Sequence, residues 1–487
     1  MQDRPNILWI CTDQQRADLL GCYGSSAART PNLDALAAGG VTFTNAYCQS
    51  PICSPSRGSF MTGRYPQTCR LRQNGQALPA DEVLVTRRFR DAGYRCGLAG
   101  KLHLSPCSPV VVGGGAEARL DDGYEVFHWH HDHWVWSEYG EFARAKGVDP
   151  GAAFEALPQC PHVQIGPSSD ATATAWAGDC AQRFIRESVR DGRPWLFSLN
   201  LFDPHHPFRI PGDRIDAWRE RLNDESIAGP RYTPGELEEK PIWQAIDHQG
   251  AYGGRGMSFA NMEAMDHRWI RAAYLAMVEN IDETVGRLID TLEETGQREN
   301  TLIVFMSDHG EMLGDHGIYL KGPYFYEELS RVPLVMSLPG TLPSGQRRGG
   351  LVELIDLAPT LLDLVGLDHH EGMQGRSLLD WLRNADMDAE FREDVTCHFQ
   401  NANFRYEPPA HTTMLRTARW KLTRAHSLPP DGGGVSGELY DLEADPRETT
   451  NLWRDPAYRE IRAELLARLA DRLALAADPL PARQAMW

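Results

Sequence analysis

The sequence predicts an α/β fold, in which a mostly parallel central sheet flanked by helices is followed by a smaller C-terminal α+β subdomain. Three observations lead there. Short apolar runs of about four to eight residues recur with little alternation, as strands buried on both faces require. Segments of helical periodicity lie between them. After about residue 370 the texture changes to alternating strands, a glycine-rich turn and a terminal helix. The expected division is a main α/β domain over 1–370 and an α+β subdomain with a short antiparallel sheet over 371–487.

The elements follow in order. Ile7–Cys11 reads as the first buried strand. Thr30 and Pro31 suit the N-cap and first turn of a helix whose stripe is Leu33, Leu36 and Ala37, ended by Gly39-Gly40. Cys96–Ala99 and Trp195–Phe202 are the next buried runs, and residues 203–265, rich in Pro, Gly and charge, read as long loops over one face of the sheet. A helix is expected over about 267–295, with Ile281, Val285, Leu288, Ile289 and Leu292 on one face and Gly296 closing it. Leu302–Met306 and Leu334–Leu338 complete the strand runs. Beyond 370, Thr412–Arg424 alternates as one antiparallel strand, Gly432–Gly434 is a loop, Glu438–Leu442 is a return strand, and Tyr458–Ala477 is helical.

Composition excludes several classes. Lys+Arg 49 against Asp+Glu 67 gives a net charge of −18, which disfavours duplex nucleic acid as a partner. No run approaches the ~18 apolar residues of a membrane span. The first residues are too polar for a secretory leader, so the expected location is cytoplasmic with no membrane partner. The ten cysteines form no C-x-x-C pair, which fits a reducing compartment.

In open α/β sheets, ligands bind beyond the carboxyl ends of the strands. Four strand runs are followed there by reactive groups: Asp13 and Gln14; Lys101 and His103; Asp203, His205 and His206; Asp308 and His309. Any one such end is an ordinary turn; four together point to a metal-dependent site. Asp13, Gln14, Asp308 and His309 make a sensible divalent-metal set, three oxygens and one imidazole, suited to Ca²⁺, Mn²⁺ or Mg²⁺.

The sharpest motif is Cys53-Ser54-Pro55-Ser56-Arg57. With Ser54 as N-cap and Pro55 at the first turn, Cys53 would sit just ahead of a helix N-terminus, where an anion is favoured, and Arg57 one turn along can reach back to it. A thiol-phosphatase loop needs its Arg six positions after the Cys, and that position is Ser59. A buried structural cysteine is the bland alternative.

These five residues resemble the C-x-P-x-R signature of the type I, formylglycine-dependent sulfatases, in the alkaline phosphatase superfamily. The resemblance runs along most of the chain: Pro5–Asp18, Thr30–Asn45, Gly100-Lys101-Leu102-His103, Pro204–Phe208, Ser307–Glu311 through Lys321 to Pro333, and Glu438–Leu452. It implies an alkaline phosphatase-like fold and hydrolysis of sulfate monoesters. Cys53, oxidised by a formylglycine-generating enzyme, would be hydrated to a gem-diol. One oxygen attacks the ester, and expulsion of sulfate from the covalent adduct restores the aldehyde. The metal ligands implied are Asp13, Gln14, Cys53, Asp308 and His309. Arg57 would hold the formylglycine, Lys101 and Lys321 the ester oxygens. His205 would protonate the leaving alcohol and His103 take the second gem-diol proton. His206 is read as structural. Asn74 is either a substrate contact or a plain turn residue before Gly75.

The pairs Asp13-Gln14 and Asp308-His309 depart from the commoner Asp-Asp and Asp-Asn of the family. They resemble choline-sulfatase-like enzymes and phosphonate monoester hydrolases, so phosphonate and phosphodiester cleavage is the alternative activity; Lys101 with His103 favours the sulfatase. The partner expected is a small sulfate ester, and relatives are often dimers or tetramers. The stretch His128–Trp136 (HWHHDHWVW) admits three readings: an aromatic pocket wall, a second metal site, or a loop packing its tryptophans inward.

Overall fold

The structure is a computed structural model describing residues 4–108, 115–132, 137–149, 154–384, 390–400, 406–429 and 434–480. Eight strands form the central sheet: β1 (Asn6–Thr12), β2 (Val41–Phe43), β3 (Arg95–Gly100), β4 (Val126–Trp129), β5 (Trp195–Asn200), β6 (Thr301–Ser307), β7 (Leu334–Ser337) and β8 (Gln346–Arg348). Their order is β8-β2-β7-β6-β1-β5-β3-β4. The five strands from β6 to β4 are parallel. β7 runs against both its neighbours, which makes the sheet mixed at one side.

Alternation along β1 shows why the strand is apolar throughout. Ile7, Trp9 and Cys11 enter one core cluster and Leu8 and Ile10 another, because successive side chains leave opposite faces. On the first face lies α2 (Cys53–Thr62), through Phe60 and Met61. The second face is covered by α3 (Ala173–Asp191) and by the long α4 (Ala264–Glu294), whose Ile281, Val285, Leu288 and Leu292 are fully buried. The helix after Thr30 is α1 (Pro31–Ala38), capped by Gly39. Thr30 does not cap it with its side chain; the hydroxyl accepts from the Gly21 N–H and donates to Asp34.

A second sheet, β9 (Asp394–Gln400), β10 (His411–Thr417), β11 (Trp420–Ala425) and β12 (Gly437–Asp441), is wholly antiparallel. The segment expected as one strand over Thr412–Arg424 is therefore a tight hairpin, turning between Thr417 and Trp420. The terminal helix α5 (Arg459–Leu475) packs Leu465 and Leu469 on Leu415, Leu422 and Leu439. Residues 203–265 are more ordered than expected. They hold a strand at Phe208–Pro211 and helices at Ile215–Arg221 and Ile242–Gln249. Most of Gly432–Gly434 lies outside the described residues. Among the described residues no helix is long and apolar enough to cross a membrane.

Candidate active site

Side by side in a parallel sheet, β1, β6, β5 and β3 deliver their carboxyl ends to one edge. Backbone bonds lock that edge: Asp308 N–H donates to Thr12 O (3.2 Å), Asp13 N–H to Asp203 O (3.3 Å) and Lys101 N–H to Asn200 O (2.9 Å).

Cys53 faces it from α2. The helix starts two residues earlier than its sequence indicates, with Ile52 as N-cap and Cys53 as first residue. Pro55 still lies in the first turn, where its missing N–H leaves no bond broken. The free Ser54 N–H donates to Asn74 Oδ1 at 2.9 Å, so Asn74 acts as a cap supplied by a neighbouring loop. The Cys53 sulfur is 3.0 Å from Lys321 Nζ, 3.2 Å from His309 Nε2 and 3.5 Å from Asp13 Oδ1. Burial pushes its thiol up, but Lys101, Lys321 and His309 outweigh burial and hold it well below the ordinary cysteine value.

Donor atoms of Asp13, Cys53, Asp308 and His309 lie within 4.8 Å of one another, and all four residues are buried. Gln14 completes the group. Its backbone is left-handed (φ 68°), its N–H donates to Asp308 Oδ1 (3.1 Å), and its amide oxygen accepts from Lys321 Nζ (2.8 Å). Its amide nitrogen bonds Glu311, a buried carboxylate that also accepts from the Leu313 and Leu320 N–H groups. Asp308 is pushed up by burial and by Asp13 beside it. Burial and Cys53 push Asp13 the same way, but Lys101, His205 and Lys321 hold it low. Two close carboxylates and one imidazole around a single point, with the Gln14 amide oxygen held by Lys321 beside them, fit an oxygen-preferring divalent cation.

Cations surround this group. Arg57 donates from Nε to Asp308 Oδ2 (2.8 Å), from Nη1 to Lys101 O (2.9 Å) and from Nη2 to Asp13 Oδ2 (3.5 Å). The guanidinium therefore fixes the two carboxylates, and its link to Cys53 is electrostatic. Lys101 Nζ is ion-paired with Asp13. Lys321 Nζ touches Cys53, Gln14, His309 (3.3 Å) and His205 Nε2 (3.0 Å). His205 Nδ1 lies against His206 O at 2.5 Å, so Nδ1 carries the proton and Nε2 accepts from Lys321. Burial, then Lys321, lower the His205 imidazole. Burial and Lys101 lower His103 to about 4.

His103 also has left-handed backbone (φ 59°), a conformation that needs outside support. Glu117 supplies it, accepting from the N–H groups of His103 (2.7 Å), Leu104 (2.8 Å) and Ser105 (3.3 Å) and from Trp129 Nε1 (3.0 Å). His206 stacks on His205 with centroids 4.1 Å apart and reaches Gln14 Nε2 (3.4 Å) and the Tyr252 hydroxyl (3.5 Å). It therefore bears on the site rather than standing apart.

Of the sequence candidates, all but Asn74 and Asp203 converge on one cluster; Asn74 braces the helix that carries Cys53, and the Asp203 carboxylate accepts from the Thr174 hydroxyl. Glu311, Glu117 and Tyr252 were missed. Glu311 falls inside the Ser307–Glu311 segment, three residues after Asp308, and a register argument could have found it. Neither Glu117 nor Tyr252 lies in any motif. In the stretch from His128, the His128 ring meets Glu138 (2.6 Å), Trp129 is buried, His130 packs on Tyr139 and Trp176, and His131 meets His103 edge-on at 5.0 Å. Residues 133–136 lie outside the described residues.

Known proteins resemble this chain in sequence and in fold. The sequence model of the Sulfatase family matches residues 5–367. The chain belongs to the sulfatase family. Residues 314–474 match the model described as N-sulphoglucosamine sulphohydrolase, C-terminal. The chain is 30% identical to a choline-sulfatase of Rhizobium meliloti, over 94% of this chain and 86% of that protein. It is 28% identical to an arylsulfatase of Clostridium perfringens, over 94% and 92%. In structure it resembles the phosphonate monoester hydrolase of Agrobacterium radiobacter, with TM-score 0.81, 28% identity and coverage of 98% and 97%. As a family member this sulfatase is a sulfuric ester hydrolase, and it shares its α/β fold with the Agrobacterium phosphonate monoester hydrolase.

Proposed function

We propose that this sulfatase hydrolyses sulfate monoesters of small alcohols or phenols, with Cys53 oxidised to formylglycine as the nucleophile-bearing residue. The observation that carries the reading is the sulfur of Cys53 held among Lys321, His309 and Asp13 at 3.0–3.5 Å, at the one point where both carboxylates also meet. Asp13, Gln14, Asp308 and His309 would hold a divalent cation, Ca²⁺, Mn²⁺ or Mg²⁺, which supplies a Lewis acid that raises the acidity of a hydroxyl beside it.

The remaining roles belong to the chain. Lys101 and Lys321 bind the anionic ester oxygens and hold the charge that grows there in the transition state. Arg57 keeps Asp13 and Asp308 in place while the ester binds. The leaving oxygen takes its proton from the Lys321–His205 pair: Nε2 accepts from Lys321 Nζ, takes up that ammonium proton and passes it on, and Lys321 regains a proton from solvent. His103, held neutral by burial and Lys101, is the base that removes the second hydroxyl proton of the hydrated aldehyde and lets sulfate depart. A bare thiol offers no second oxygen and would stall after one transfer.

Mass spectrometry of the peptide carrying Cys53, from cells with the maturation enzyme, is expected to give the mass of formylglycine or its hydrate. An active preparation containing only unmodified thiol would refute the mechanism. The likeness to the Agrobacterium phosphonate monoester hydrolase favours a second reading, a phosphonate or phosphodiester hydrolase using the same groups. Rates on an aryl sulfate against an aryl phosphonate and a phosphodiester rank the two. A preference of orders of magnitude for phosphorus esters would put the second reading first.

A further inference from the structure

Parallel pairing of β3 with β4, with Gly100 opposite Trp129, sets the loops after these strands side by side. One loop carries His103 and Cys107, the other His131. Their donor atoms lie within 4.8 Å of one another, and the two imidazoles meet edge to face at 5.0 Å. Glu117 ties both loops into one frame through the backbone of residues 103–105 and the indole of Trp129, which stacks on His131. A second observation points to a ligand. His103 is 7% exposed, and its Nδ1 is buried with no hydrogen-bond partner among the described residues. A polar atom placed that way normally has a partner.

We propose that His103, Cys107 and His131 form a second metal site that takes a borderline-soft cation such as Zn²⁺ or Cd²⁺ and, when filled, withdraws His103 from turnover. The donor set decides the class. Two imidazoles and a thiol select Zn²⁺ and its heavier analogue, whereas the Asp13–Asp308 group is built from oxygens. Tetrahedral zinc needs its donors about 3.3–3.7 Å apart, so modest side-chain rotation closes the set, and water from the cleft takes the fourth position. On binding, the Cys107 thiol gives its proton to solvent and both imidazoles bind neutral, so the cluster carries one thiolate against two cationic charges. No electron moves.

The inhibitory half rests on the reading of His103 as a base in turnover, and the experiment separates the two. In the full chain carrying Cys53→Ala, with excess Mg²⁺ present, Cd²⁺ is titrated and the thiolate-to-cadmium absorption recorded. One saturable equivalent is expected, and it disappears when Cys107→Ala is added. No saturable signal, or one that survives Cys107→Ala, overturns the site. Zn²⁺ is then titrated into the mature enzyme during turnover. Inhibition is expected, weakened at least tenfold in Cys107→Ala, whose turnover without zinc matches the parent and so shows that it folds; Cys107→Ser serves as a second variant. A cadmium signal that depends on Cys107 while zinc leaves turnover untouched upholds the site and overturns the role of His103 as a base.

Discussion

Among the described residues, two clusters of buried acids and lysines are built differently. The first is the Cys53 site. The second joins the main body to the C-terminal sheet. There Lys421 Nζ contacts Glu327 Oε1 (2.7 Å), Glu448 Oε1 (2.8 Å) and Phe325 O (2.9 Å), and Lys240 Nζ donates to the Tyr440 hydroxyl (2.6 Å) and Glu448 O (2.9 Å). Glu448 Oε2 accepts from the Glu327 N–H at 2.8 Å. Each acid in that cluster has its partner inside the chain. In the first cluster Asp13 and Asp308 are also paired, with Lys101 and Arg57, but each keeps a second oxygen turned toward Cys53 and His309, beside the partly exposed His205 and His206. Burial and charge alone therefore do not mark a site. Convergence of like groups on a point with an opening does, because such an arrangement is stable only when something from outside completes it.

The comparison is tested most strongly by Asp308→Asn. Asn keeps one oxygen, for Arg57 or for the Gln14 N–H but not both, and removes one of two adjacent negative charges. Turnover is expected to fall about 10²- to 10³-fold or more with loss of bound metal, while the melting temperature holds or rises. A clear fall in melting temperature would make the first cluster as structural as the second.

Lys421→Met is the converse. It takes from buried Glu448 the lysine it contacts and leaves Glu327 only the cations Arg331 (3.0 Å) and Arg416 (4.0 Å), at a cost of up to about 3–5 kcal/mol. Calorimetry reads the loss, and turnover per folded molecule should stay at the parent value. Lost turnover in protein that is still folded would join the two clusters into one functional unit.

Glu117→Gln has a smaller expected effect. The amide presents an NH₂ to donors that the carboxylate accepted, so the turn bearing His103 shifts. A fall of about 10- to 100-fold in kcat, with KM and the formylglycine content of Cys53 little changed, is expected. Equal changes in KM and kcat, or a lower melting temperature with unchanged kcat, would reduce Glu117 to scaffolding.

What could be read from the sequence divides along the same line. The parallel strands were legible because burial on both faces makes them continuous apolar runs, and the groups after them follow from strand ends sharing one edge. The start of α2 was misjudged because Ser54 looks like a cap, whereas the Asn74 side chain bonds its N–H from across a loop. The reversed β7 reads like its neighbours, since direction leaves no mark on an apolar run. Glu117, Tyr252 and the whole Lys421 cluster depend on contacts between residues far apart in the chain, and no local pattern encodes them.

The last effect concerns pH. Burial and Glu327 push the Glu448 carboxyl from 4.5 up to about 7, against the pull of Lys421. For Glu327, burial acts upward too, but Lys421, Arg416 and Arg331 hold it at about 2. The signs are opposite. The ionised Glu327 contributes stability that is present above about 4.5 and lost as pH falls toward 2. Glu448 keeps its proton in the folded chain while the unfolded chain has released it, so stability falls as pH rises from about 4.5 to about 7. The slope for one proton is at most about 1.4 kcal/mol per pH unit. Glu448→Gln mimics the protonated form and removes that term. Plotted against pH, the difference in stability between variant and parent should widen in the variant's favour across this window and level off above it. A difference independent of pH would place a second fixed negative charge beside Glu327. The closed cluster would then carry the same acid repulsion as the open one, and internal pairing could no longer be what distinguishes them.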